Sequence, residues 1–216
     1  MRNQESTAEK VASYLLKIEA VKLNANKPFT WASGLKSPIY CDNRRILSFP
    51  DVRKFIRQSL AERVKKLYPD AEIVAGVATG AIAHGVLVAD ELDLPFVYVR
   101  SKGKEHGLGN QIEGVTPEGK KVVVIEDLIS TGKSSLAAVD ALLNAKSNVL
   151  GMVAIFTYGL EQADKNMKLA KCNLNTLTNY DTLLKQAINE GFLHHSNKNT
   201  LEMWRENPTE WGQNFQ

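Results

Sequence analysis

The chain has 216 residues, 44% hydrophobic and 24% charged, with a formal net charge of +3. That composition supports a buried core and excludes a disordered chain, while so balanced a charge excludes a protein built to coat nucleic acid, which needs a basic stripe. Two cysteines, Cys41 and Cys172, are too few for a disulfide framework and neither has metal-binding spacing. No apolar window approaches the ~18 residues of a membrane helix, and charge interrupts the N-terminal segment. A soluble, cytoplasmic protein with no membrane and no nucleic-acid partner is expected.

In chain order, Val11, Tyr14, Leu15, Ile18 and Val21 share one helical face. Residues 29–45 (FTWASGLKSPIYCDNRR) are broken by Gly34 and Pro38 and are too aperiodic for a helix. Pro50 opens a second helix carrying Val52, Phe55, Ile56, Leu60, Val64 and Leu67. The pattern then alternates: strands over 72–77, 96–99, 121–126, 149–158 and 173–178, helices over 81–92, 134–146, 160–170 and 181–189. Continuous apolar strands separated by helices predict an α/β fold, a mostly parallel sheet flanked by helices. Its core spans residues 50–190, after a small N-terminal subdomain over 1–49. The helix over 181–189 is the last well-formed one expected, and residues 191–216 read as a polar tail.

One connection is unusually long. Residues 100–120 (RSKGKEHGLGNQIEGVTPEGK) hold Gly103, Gly107, Gly109, Gly114 and Gly119 and no apolar period. Structureless loops beyond ~12–15 residues in a compact domain are usually functional, and such loops often close over substrates. A mobile lid is expected there.

The most informative stretch is VVVIEDLISTGKSS, residues 122–135. A buried strand delivers Glu126 and Asp127 at its C-terminal end, where open α/β sheets place ligands. Ser130, Thr131, Gly132, Lys133 and Ser134 then open directly into a helix. Backbone N–H groups, the positive helix end and hydroxyls together make a phosphate cradle. A Walker A loop would need glycine where Asp127 stands. Two acids ahead of a phosphate cradle suit vicinal ribose hydroxyls beside a phosphate. His84, in an apolar helix, reads as a core residue, and His194 and His195 need no role.

Strand, acidic pair, small-residue loop and Thr131-Gly132 together resemble the phosphoribosyl pyrophosphate (PRPP) motif of type I phosphoribosyltransferases. Residues 100–114 resemble the mobile catalytic loop of the orotate-specific members, and residues 29–45 resemble their N-terminal, base-holding hood. The resemblance implies a type I phosphoribosyltransferase fold that transfers the 5-phosphoribosyl group from PRPP to orotate, giving orotidine 5-monophosphate and pyrophosphate in pyrimidine biosynthesis. It further implies that Glu126 and Asp127 hold the ribose 2- and 3-hydroxyls, while Leu128, Ile129, Ser130, Thr131, Gly132, Lys133 and Ser134 wrap the 5-phosphate. Ser130 would lie next to the orotate ring. Arg100, Lys104 and His106 would meet the pyrophosphate, with Lys104 entering the neighbouring site of a homodimer. The implied cofactor is Mg2+, chelated mainly by pyrophosphate and ribose oxygens, with no protein metal cage.

The chain departs from several members of that family. Ala32 stands where they have a hood lysine, and residues 75–83 (AGVATGAIA) lack a lysine beside the pyrophosphate turn. Ser101 replaces a lysine beside the loop arginine, and Thr157 and Tyr158 stand where an orotate-binding arginine is found. Lys36, Arg44 and Arg45 are the remaining candidates for the orotate carboxylate, with Arg44 preferred. Three rivals are weighed: a phosphoribosyltransferase for a purine or uracil, a PRPP-sensing regulator that binds nucleic acid, and a P-loop kinase. The hood resemblance disfavours the first. The missing DNA-binding module and basic face disfavour the second, and the missing motif glycine the third.

Overall fold

The computed structural model describes residues 6–31, 33–100 and 111–215. Its N-terminal part comprises α1 (Thr7–Lys17), β1 (Val21–Leu23), β2 (Phe29–Thr30), β3 (Lys36–Ser37), β4 (Ile39–Cys41) and a 3-10 turn over Asn43–Ser48. Then follow α2 (Pro50–Leu67), β5 (Ile73–Val77), α3 (Ala81–Leu92), β6 (Phe96–Val99), β7 (Ile112–Glu113) and β8 (Lys121–Ile129). The remainder is α4 (Lys133–Asn144), β9 (Asn148–Thr157), α5 (Glu161–Leu169), β10 (Leu174–Asn179), α6 (Tyr180–Asn189), α7 (Lys198–Glu206) and α8 (Pro208–Gln213).

Five strands run parallel in the order β10-β9-β8-β5-β6, and β7 adds an antiparallel edge beside β6. Alternate residues of β8 enter opposite cores. Val123 and Ile125 pack with α1, α2 and α6; Val122 and Val124 pack with α4 and α5. Burial on both faces is why these strands read as unbroken apolar runs. Local chemistry sets the first helix starts: Ser6 and Glu9 form a reciprocal capping box on α1, and Pro50 sits in the first turn of α2. No helix among the described residues is long and apolar enough to cross a membrane.

The hood is two small antiparallel ladders, β1 with β4 and β2 with β3. Between β2 and β3 the chain turns at Gly34, φ +84°, where a side chain would be strained. There the Trp31 N–H donates to the Leu35 carbonyl at 2.9 Å.

Four expectations need correction. Helix α1 ends at Lys17 and Val21 begins β1, because the chain reverses through Glu19 at φ +55°. The strand carrying the acids does not stop at residue 126: β8 runs on to Ile129, since Leu128 and Ile129 still pair with Phe156 and Thr157 of β9. The connection over 100–120 is not structureless throughout, because Ile112 pairs with Val99 and is buried. Residues 101–110, with Lys104 and His106, lie outside the described residues. Lastly, the polar tail is folded: α7 and α8 bury Leu201, Trp204 and Trp211.

Candidate active site

The parallel strands end on one side of the sheet, and β8 carries Glu126 and Asp127 there. A cavity of about 400 Å³ opens above them. Val77, Ala78, Thr79 and Gly80 form one wall, at the turn between β5 and α3. The opposite wall is Leu128, Ser130, Thr131, Gly132 and Ser134, leading into α4. Cys41, Asp42 and Arg44 of the hood close the third side.

Two glycines make this geometry possible. Gly132 takes φ +77° as the residue that starts α4, a left-handed conformation that favours glycine. A Cβ on Gly80 would collide with the Asp127 carboxylate, so glycine there lets the β5–α3 turn approach the acid closely. With Thr79, Thr131 and Ser134 hydroxyls and the N-terminus of α4, the site offers donors to phosphate oxygens.

The two acids are not equivalent. Glu126 is only 4% exposed; its carboxylate accepts from Ser135 Oγ at 2.7 Å and from the Asp127 N–H at 2.9 Å. Burial first, then the neighbouring Asp127 charge, pushes its pKa well above the ordinary 4.5. Asp127 is partly exposed, and its backbone carbonyl accepts from Asn43 Nδ2 at 2.5 Å. Asn43 is fully buried; its own carbonyl lies 3.3 Å from His84 Nε2. Burial lowers the pKa of His84. His84 is thus the core histidine expected, yet through Asn43 it ties α3 and the hood to the acidic strand. Asn43 escaped sequence reading because a lone asparagine in a turn-rich stretch carries no spacing signal.

A second cavity of about 370 Å³ adjoins the first, lined by Thr30, Trp31, Tyr40, Cys41, Leu128, Ser130 and Tyr158. Cys41, Leu128 and Ser130 line both cavities, so the two meet at the loop after the acids. The second is lined by aromatic rings: Trp31 and Tyr158 pack against each other, ring centroids 4.9 Å apart, and form one wall of the slot.

The remaining site candidates divide. Ile129 is fully buried in the core beneath α4, so only its backbone faces the loop. Lys133 is exposed and outside the cavity lining. Arg100 follows β6 and pairs with Glu113 at 3.4 Å, also outside the lining. Arg44 is clamped by Asp42, Nε to Oδ1 at 2.6 Å and Nη2 to Oδ2 at 3.0 Å, and it borders the first cavity rather than the aromatic slot. Arg45 turns away to the Ile18 carbonyl. Lys36 Nζ donates to Thr30 Oγ1 at 3.0 Å, and Thr30 lines the slot. Among the described residues no cluster of three or more His, Cys, Asp or Glu side chains is arranged to hold a metal.

Comparison with known proteins agrees with this geometry. The family profile "Phosphoribosyl transferase domain" matches residues 44–182. The chain is 56% identical to an orotate phosphoribosyltransferase of Listeria innocua serovar 6a, over 96% of this chain and 99% of the relative. It is 52% identical to one from Porphyromonas gingivalis, over 94% and 96%. Among solved structures, the orotate phosphoribosyltransferase from Aeropyrum pernix superposes with a TM-score of 0.74 at 28% identity, covering 85% of this chain and 99% of that one. Leishmania donovani UMP synthase gives a TM-score of 0.78 at 21% identity, over 93% of this chain and 42% of that one, a likeness of fold. With a profile over most of its length and relatives above half identity end to end, the chain belongs to the orotate phosphoribosyltransferase family, whose type I fold it shares.

Proposed function

We propose that this protein transfers the 5-phosphoribosyl group of PRPP to orotate, releasing orotidine 5-monophosphate and pyrophosphate. The observation that carries this reading is the pair of joined cavities: one offers two carboxylates, hydroxyls and a helix N-terminus, the other an aromatic-lined slot. They meet at Ser130, where a base nitrogen and a ribose C1 would come together.

Orotate N1 forms its bond to C1 as the C1–O bond breaks. The bonding pair leaves on pyrophosphate, and the N1 proton is released. Asp127, the more exposed acid, holds ribose hydroxyls beside the positive charge developing on the ring. Glu126 supports the Asp127 backbone and Ser135 from beneath, and residues 128–134 wrap the 5-phosphate. Arg100, Lys104 and His106 serve the departing pyrophosphate, where positioned cations stabilise the transition state more than the ground state.

Magnesium fits the donor set, since a site with one accessible carboxylate suits a cation chelated mainly by substrate oxygens. When bound it neutralises phosphate charge, and Asp127 and Thr79 are the residues that would face it. The reading extends to a cytoplasmic homodimer in which Lys104 serves the partner's site, on the family's pattern. The decisive experiment incubates the protein with PRPP, magnesium and, separately, orotate, uracil, hypoxanthine or adenine while pyrophosphate release is followed. Release with orotate is expected; release only with another base would overturn the assignment.

A further inference from the structure

The Trp31–Tyr158 wall of the slot does not stand alone. Trp31 and Tyr158 both pack on Trp204 of α7, with centroids 5.6 Å and 5.8 Å away at interplanar angles of 75° and 80°. Trp204 is fully buried, and its indole N–H donates to the backbone carbonyl of Lys36 at 3.2 Å. Lys36 is the residue whose ammonium reaches Thr30 at the slot. Behind Trp204 lies Tyr180, ring centroid 5.7 Å away, whose hydroxyl donates to the Leu201 carbonyl at 3.0 Å and so fixes α7 on α6. Helix α8 adds a second support, because Gly212 packs against Lys36 closely enough that an added Cβ would lie 3.4 Å from the Lys36 Cβ.

From these contacts we infer that Trp204 is a positioning residue for base recognition: it fixes the Trp31–Tyr158 wall and brings the Lys36 ammonium to the rim of the slot as the cation for the base's carboxylate. None of the residues lining the slot carries a positive charge, so a carboxylated base needs a cation from its rim, where the Lys36 ammonium meets Thr30. A fully buried indole whose single polar group is spent on the backbone of that rim ties the C-terminal helices to substrate choice without touching substrate. The inference rests on the orotate reading above and goes further by assigning the carboxylate partner and its support.

The test is steady-state kinetics on Trp204→Phe, which keeps ring packing and deletes the N–H, on Lys36→Ala, and on the double variant. For Trp204→Phe the KM for orotate should rise about three- to tenfold, the scale of one hydrogen bond, with the KM for PRPP unchanged within twofold. In the double variant the two effects should be less than additive, because both act through one side chain. Tyr180→Phe, which loses only the hydroxyl holding α7, should shift the orotate KM in the same direction by a smaller factor and keeps the test open should Trp204→Phe not fold. Equal changes in both KM values, no change in either, or full additivity with Lys36→Ala would overturn the inference. Wild-type activity with orotate is measured alongside; its absence would instead defeat the functional reading itself.

Discussion

The acidic pair divides its labour by burial. Asp127 keeps a partly exposed carboxylate against the Gly80 turn, whereas Glu126 is spent on Ser135 and the backbone. Asp127→Asn should therefore lower turnover about tenfold or more while the thermal midpoint moves by only a few degrees, the signature of a lost electrostatic contact in an intact fold. Calorimetry and turnover measured on one preparation check it. Glu126 makes a different prediction. Its folded pKa lies above the unfolded value of 4.5, so above that pH the unfolded state holds fewer protons than the native one. Stability then falls as pH rises from about 4.5 toward the raised native pKa. His84, whose pKa burial lowers from 6.5, acts with the opposite sign, gaining stability as pH rises to that value. The informative quantity is thus the difference between wild type and Glu126→Gln: the variant should gain thermal midpoint relative to wild type as pH is raised from 5 to 8. A constant difference across that range would show that Glu126 does not titrate abnormally.

Among the elements, those built on two-sided burial were legible in the sequence and those built on pairing or docking were not. Helix α3 was readable at both ends, because the apolar run starts after Gly80 and stops at Asp93, which takes the left-handed φ of 54°. The apolar run of β8 stops at Ile125 and so marks too short a strand, yet the backbone continues as long as β9 pairs beside it. The polar composition of the tail hides α7 and α8. Its signal is present in Leu201 and Trp204 at i, i+3 spacing and in Pro208 at the start of α8, but what those side chains pack on, Trp31 of the hood with Tyr158 and Tyr180, is distant in sequence. In the hood, Arg44 is engaged by Asp42 and borders the cavity above the acids rather than the aromatic slot. Lys36→Ala should raise the KM for orotate roughly ten- to a hundredfold, a charge-assisted contact of ~1.5–3 kcal/mol, and leave PRPP nearly unaffected. Arg44→Ala should show the reverse bias. Michaelis constants for both substrates in both variants decide between them.

At the scale of the whole molecule, the described residues leave a shortage of positive charge. Arg44 alone supplies a guanidinium or ammonium group among the described residues lining the cavity above the acids, and Asp42 is its partner. A pyrophosphate leaving group requires more, and the sequence offers it in Lys102, Lys104 and His106, which lie outside the described residues. If Lys104 serves the neighbouring subunit, as the family pattern implies, each site is assembled from two chains. Two inactive variants should then rescue one another. Lys104→Ala spoils the partner's site and Asp127→Asn spoils its own, so a mixed dimer has one site with both defects and one with neither. Refolded together and paired at random, half the dimers are mixed and one of the two sites in each works. Activity should therefore return to about a quarter of wild type. The measurement is pyrophosphate release from the mixture against each variant refolded alone, with subunit exchange verified by tagging one chain. No gain over the separate variants, despite exchange, would mean that Lys104 acts within its own chain or takes no part.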